Sequence, residues 1–276
     1  VQLITPGPEL DVIARQIANA HTTFNVVCTL LWLPLLGVMV KIVTFLVPGK
    51  EEEHGPGALV TLDENILGQP VFAIRMFGEE LQKFCDKVGS MLETLPGAVA
   101  SRDAAALKAL QGDCAQVEAA EVELANYAVE LLSAGATSER QAAEITDLMS
   151  IVDAVGRIGS RCGEVAGLYG ENLASKKPFS DEAREELAES AAMVSEMYDA
   201  VLRFLSDQDA ASEQVLDERR RAIIKRQSKA RKAHFRRVSS RQCAPENKAV
   251  YNQLLLGLER AGNECSNLVE HGAELS

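Results

Sequence analysis

From Phe24 to Val47 the chain runs apolar, with Lys41 as the one charged residue in that stretch. A helix of that length can cross a hydrocarbon core of about 30 Å, and nothing comparable occurs elsewhere in the sequence. The run constrains the fold more than any other feature, because it would need lipid or a large partner to cover it. A polar segment, His21-Thr-Thr-Phe-Asn25, stands at its mouth, and Pro34 lies inside it. Membrane helices tolerate proline because neighbours satisfy the freed carbonyl. Lys41 fits an interfacial position, its stem snorkelling toward the headgroups.

No basic stretch precedes the run and no small-residue cleavage site follows it, so it does not read as a signal peptide. The chain opens at Val1 with an ordered-looking lead-in, VQLITPGPELDVIARQ. That combination reads as the tail of a larger membrane protein. The segment PGKEEEHGPG, 48 to 57, is the clearest boundary, and it divides a membrane part (1–54) from an acidic helical part (55–276).

The 276 residues carry a formal net charge of −12, which argues against wholesale nucleic-acid binding. Aromatic content is 5%, and the abundance of Ala, Leu and Glu favours helices. Six cysteines stand singly at 28, 85, 114, 162, 243 and 265, without a Cys-x-x-Cys pair or a zinc-spaced His. They read as reduced, mostly buried thiols of a cytosolic compartment.

Helical spacing covers Glu9 to Asn25. Beyond the boundary, Thr61-Leu-Asp-Glu64 has capping-box form before a helix reaching Leu95, with Pro70 expected to kink it or delay its start. A second helix is predicted over about 101–133. A third begins at Ser138, with Gln141 three residues on, and continues to about Ala174. After KKPFSDEA, three more are expected over roughly 181–207, 210–240 and 246–274. No alternating Val/Ile/Thr run suggests a strand.

An internal repeat organises these helices. VGRIGSRCGEVAGLYGE (155–171) matches LERAGNECSNLVEHGAE (258–274), pairing Arg157 with Arg260, Gly159 with Gly262, Cys162 with Cys265 and Val165 with Leu268. Each copy closes a set of three helices, so an all-α chain with two tandem three-helix bundles, about 61–174 and 180–276, is the simplest architecture.

TLDENILGQPVFAI resembles the opening of the PhoU-like domain fused to bacterial sodium/phosphate cotransporters. The RIGS and ERAGN segments resemble the Leu-Glu-Arg-Ile-Gly-Asp signature of PhoU proteins, and IANAHTTFNVV resembles the lead into the last membrane helix of those cotransporters. The three matches come in the family's order. The resemblance implies the C-terminal part of a sodium-dependent phosphate symporter in the plasma (inner) membrane. It also implies a cytoplasmic PhoU-like regulatory domain. Sodium would be the coupling ion and inorganic phosphate the substrate, both bound by segments upstream. The family's duplicated Gln-Ser-Ser-Ser motifs do not occur in this sequence, so this portion is expected to bind no cofactor itself. The alternative is a membrane-tethered PhoU-like adaptor that regulates phosphate transport or signalling without transporting. A structural helical module that forms homo-oligomers is a third reading.

PhoU proteins can hold metal through Glu/Asp-x-x-x-Asp motifs, whose carboxylates share one helix face. The matching positions here are Gly156 and Ser160 in the first copy, and Glu259 and Asn263 in the second. Only Glu259 supplies a carboxylate, and cations on the facing helix would oppose a metal, so helix packing is the favoured reading.

Those cations form a stripe over Arg219, Arg220, Arg221, Lys225, Arg226, Lys229, Arg231 and Lys232, continuing to Arg241. Two readings fit: contact with membrane lipid of an anionic leaflet or with another partner, or a solvated face paired with Glu118, Glu121 and Glu123. His234 and Phe235 alone do not make a nucleic-acid surface. His21 and Asn25 share a helix face, either beside a transport pathway or as an interhelical hydrogen bond. Asp11 and Arg15 read as a surface pair. Four scattered histidines, with no nucleophile elbow and no phosphate loop, leave no basis for an enzyme.

Overall fold

A computed structural model describes residues 9–46, 59–134, 138–207 and 210–274, with the side chains of residues 17–35 and 39 described in the first of these. The chain divides into two compact units, Val1–Gly55 and Pro56–Ser276. The boundary segment 48–57, Lys41, and the Asp11–Arg15 pair lie outside the described residues or side chains.

The first unit contains α1 (Glu9–Leu46), one continuous helix that carries Pro34 within it. Ile17, Phe24, Leu30, Leu31, Trp32 and Leu33 are all exposed, on every side of the helix. Among the described residues of α1, none is buried. Among the described residues, no helix is long and apolar enough to cross a membrane.

Among the described residues, the second unit holds six α-helices: α2 (Pro70–Ser101), α3 (Ala104–Ser133), α4 (Glu139–Ala174), α5 (Asp181–Asp207), α6 (Ala210–Ser239) and α7 (Asn247–Glu274). The expected cap before α2 is corrected by the structure. Asp63, not Thr61, is the capping residue, its Oδ1 accepting from Asn65 N at 2.9 Å to start a single 3-10 turn, Glu64–Ile66. α2 starts later with Pro70 in its first turn, where the missing N–H costs nothing. It also runs through Pro96, past the predicted end at Leu95. An internal proline costs about 3 kcal/mol, and burial of Leu95, Ala98 and Val99 on both sides of it offsets that cost. α2 stops where Arg102 takes a left-handed φ of 59°.

Asp103 caps α3, accepting from Ala105 N and Ala106 N at 3.0 Å. The expected capping box at α4 is present, with Gln141 N donating to Ser138 Oγ and Ser138 N donating to Gln141 Oε1.

Packing modifies the picture of two tandem bundles. α4 packs as extensively on α7 as on α3, and α2 packs on α5. The two three-helix sets therefore share one core, in which Phe84, Val88, Leu92, Tyr198, Leu254 and Leu258 are all buried. Tyr198 of α5 donates to the α2 carbonyl of Cys85 at 3.0 Å, a satisfied polar atom at the seam. All six cysteines are unpaired, and Cys85, Cys162, Cys243 and Cys265 are buried. Burial pushes the Cys85 and Cys162 thiols up to about 12, which leaves them protonated and inert.

Candidate functional site

The repeat places its matching residues at helix contacts. Cys162, Cys265, Val165 and Leu268 are buried, and the two glycines face the helix preceding their own. A Cβ at Gly159 would stand 2.8 Å from Val117 Cγ1, so α3 and α4 approach too closely there for a side chain. A Cβ at Gly262 would be 3.7 Å from Ile223 Cδ1, an ordinary contact. Arg157 reaches across to α7, its Nε 3.0 Å from Glu264, while Arg260 is exposed.

The weak metal candidates are engaged otherwise. Glu259 forms an ion pair with Arg231 of α6, and Asn263 lies half-buried one turn on. In the first copy the space at Gly156 is filled by the Glu121 carboxyl, which stands where a Cβ would have to go. Burial and the nearby Asp153 charge hold Glu121 above the usual carboxylate range, against the pull of Arg157. Among the described residues, no group of three or more His, Cys, Asp or Glu is placed to hold a metal ion.

α6 concentrates ten of the 28 Lys and Arg residues of the chain. The structure sorts them by face. Arg219 pairs with Glu196 at 3.2 Å, Arg226 with Glu189, Arg231 with Glu259, and Arg237 with Glu186. The acidic partners thus lie on α5 and α7, which corrects the expectation that Glu118, Glu121 and Glu123 of α3 would serve. The hydrogen bond from Arg226 holds the Glu189 carboxyl below its ordinary range.

Arg237 and Glu186 anchor a polar and aromatic cluster that the sequence did not announce. Their side chains are 14% and 15% exposed, and Arg237 Nη1 donates to Glu186 Oε1 at 3.2 Å. Tyr251 of α7 donates to Glu186 Oε2 at 2.7 Å. The His234 ring stacks on Tyr251 with centroids 4.0 Å apart, and Phe179 meets both rings edge-on. Burial first, then the Arg237 charge, pushes His234 down to about 4. Nearby, Asn172 Nδ2 donates to Asn247 Oδ1 at 3.0 Å, and Phe179 N donates to Asn172 Oδ1 at 3.0 Å. The cluster ties the α4–α5 connection to α6 and α7. A cleft of about 550 Å³ opens beside it, lined by Arg231, His234, Phe235, Lys248 and Tyr251.

The outer face of α6 carries the remaining cations. Arg221 pairs only within the helix, with Asp217. Arg220, Lys225, Lys229, Lys232 and Arg236 are exposed and form no ion pair among the described residues. In α1, Asn25 Nδ2 and His21 Nδ1 are 3.0 Å apart along one exposed face. Thr22 and Thr29 donate back to the helix carbonyls of Ala18 and Asn25. The structure thus brings His21 and Asn25 together within α1.

The six-helix arrangement is that of a PhoU-like fold. The chain is similar to the solved structure of the phosphate transport system regulatory protein PhoU from Streptococcus pneumoniae, with a TM-score of 0.65 and 14% sequence identity. The match covers 75% of this chain and 96% of that one. No family model matches the sequence, and no curated protein matches it.

Proposed function

We propose that the chain serves the regulation of phosphate transport, and that it is the C-terminal portion of a sodium-dependent phosphate symporter. The observation that carries this reading is the joining, in one chain, of a PhoU-like six-helix unit to a helix whose described apolar side chains, Phe24, Leu30, Leu31, Trp32 and Leu33 among them, are exposed. From Val26 to Leu35 the chain is apolar apart from Thr29, and such a stretch suits a place among other membrane helices or in lipid. Phosphate and sodium would bind in an upstream membrane core by secondary transport, with His21 and Asn25 beside its pathway. The six-helix unit would lie on the cytoplasmic side and gate that core.

The second reading is an adaptor tethered to the membrane that regulates a separate transporter. It is supported by the likeness of the six-helix unit to a phosphate transport system regulatory protein over 96% of that protein's chain. Reconstitution of the full-length protein into vesicles, followed by phosphate flux with and without a sodium gradient, separates the two. Sodium-driven uptake supports the symporter. Flux indifferent to sodium sinks it, and no flux from correctly inserted protein favours the adaptor.

A further inference from the structure

We propose that the outer face of α6 is a docking surface for an anionic lipid bilayer. The two sides of α6 (Ala210–Ser239) differ in what they give the fold. Its inward positions satisfy the packing: Leu216, Ile223, Ala230 and His234 are buried, and each of the four inward arginines has a carboxylate partner. Arginine suits that role, since its planar fork can meet a carboxylate through two hydrogen bonds.

The outward positions contribute nothing comparable. Arg221, Lys225, Lys229, Lys232 and Arg236 follow one another at spacings of four, four, three and four along one side of the helix. Like charges at these spacings repel by about 0.2–0.5 kcal/mol per pair. The helix is weakened by this face: among the described residues Lys225, Lys229, Lys232 and Arg236 form no ion pair with a carboxylate of α5 or α7, although the Lys229 charge is felt at longer range by Glu189. All three lysines of α6 are on this side, where a flexible stem can carry its charge outward.

Two large apolar side chains interrupt the cations, Ile224 at 42% and Phe235 at 53% exposure. Ile224 shares a shallow groove with Arg221, Lys225, Ser228, Lys229 and Lys232. Lys248 of α7 extends the positive surface, its ammonium 4.6 Å from the centre of the Phe235 ring. Cations flanking sparse apolar side chains match a headgroup layer, where each Lys or Arg contributes about 1 kcal/mol. A single aromatic ring is not a stacking platform for nucleic acid. The chain also carries α1, whose exposed apolar side chains Phe24, Leu30, Leu31, Trp32 and Leu33 are of the kind that a lipid layer can cover. The proposal stands apart from the transport reading, because symporter and adaptor alike would work beside a bilayer.

The test is vesicle partitioning of the full chain, using phosphatidylcholine vesicles with and without phosphatidylglycerol. Two variants of equal charge change are compared with the parent. One is Lys225→Glu/Lys229→Glu/Lys232→Glu on the outer face of α6. The other is Lys108→Glu/Arg140→Glu/Lys176→Glu, at exposed sites elsewhere. Thermal melting checks that both remain folded. The α6 variant is expected to lose affinity for the anionic vesicles by about 100-fold. Its affinity for pure phosphatidylcholine, set by α1, should not change, and the control variant should stay within a few-fold of the parent. Added salt should abolish the anionic preference. Equal loss in both variants, or no anionic preference in the parent, overturns the proposal. So does tight binding of polyuridine RNA by the parent without any preference for anionic vesicles.

Discussion

The contact between α3 and α4 and the contact between α6 and α7 come from matching halves of the chain, yet they are built by different chemistry. The first is a close approach permitted by glycines. Besides Gly159, a Cβ at Gly163 would meet Cys114 Cβ at 2.5 Å, and one at Gly167 would meet Gln111 Nε2 at 2.5 Å. The second is held by charge and stacking, through Arg231–Glu259 and the Arg237–Glu186–Tyr251–His234 cluster. The repeat preserves helix geometry while leaving each half free to choose what fills the seam. A shared fold therefore did not carry a shared carboxylate site to both halves.

The comparison can be broken most forcefully at Glu186. Glu186→Ala leaves Arg237 without its main partner and Tyr251 without its acceptor. A loss of about 3–5 kcal/mol in denaturant unfolding is expected. A change under 1 kcal/mol would show that the second seam does not depend on charge. Glu186→Gln, which keeps the Tyr251 acceptor, should recover part of the loss.

On the glycine side, Gly163→Ala is expected to destabilise by about 1–3 kcal/mol, because the obstructing atom is a Cβ fixed to the α3 backbone. Gly167→Ala should cost less, since the Gln111 side chain can swing into solvent.

The His234 cluster adds a pH signature to the second half. Its folded pKa of about 4 lies below the ordinary value of 6.5, so the unfolded chain binds the proton more readily. The contribution is fully favourable above about 6.5 and is lost as pH falls toward 4. The total is on the order of 3 kcal/mol. Unfolding of His234→Phe, compared with the parent across that window, should show a shallower slope. Parallel slopes would remove His234 from the account.

The smallest effect sharpens the contrast. Gly262→Ala meets only ordinary contacts at Ile223, so the better helix propensity of alanine should leave stability unchanged or raise it by up to about 1 kcal/mol. A loss like that of Gly163→Ala would mean that the two seams are equally tight.

Much of this fold was legible in the sequence because its signals are local. Ser138 with Gln141 marks the start of α4, and the Arg-x-Gly-x-x-Cys spacing marks the two closing helices. Pro96 illustrates a limit: a proline normally argues for a helix end, and only tertiary burial of Leu95 and Val99 carries α2 past it. The partners of the basic helix were hidden for a related reason. Glu186, Glu189 and Glu196 sit on α5, the antiparallel neighbour joined to α6 by a two-residue connection. That short connection is the signal in the sequence for pairing with α5, whereas the repeat points to α3. The sorting of α6 into a paired inner side and an open outer side depends on which neighbours flank it, and no periodicity within α6 alone reveals that.

Phosphate uptake by cells with and without the intact gene tests the central claim most directly. Labelled phosphate uptake would be followed before and after a shift from scarce to abundant phosphate. The account predicts that loss of the protein changes the uptake rate, or its adjustment to the shift, and that the parent gene restores it. Uptake identical in rate and adjustment with and without the protein would contradict a role in phosphate transport.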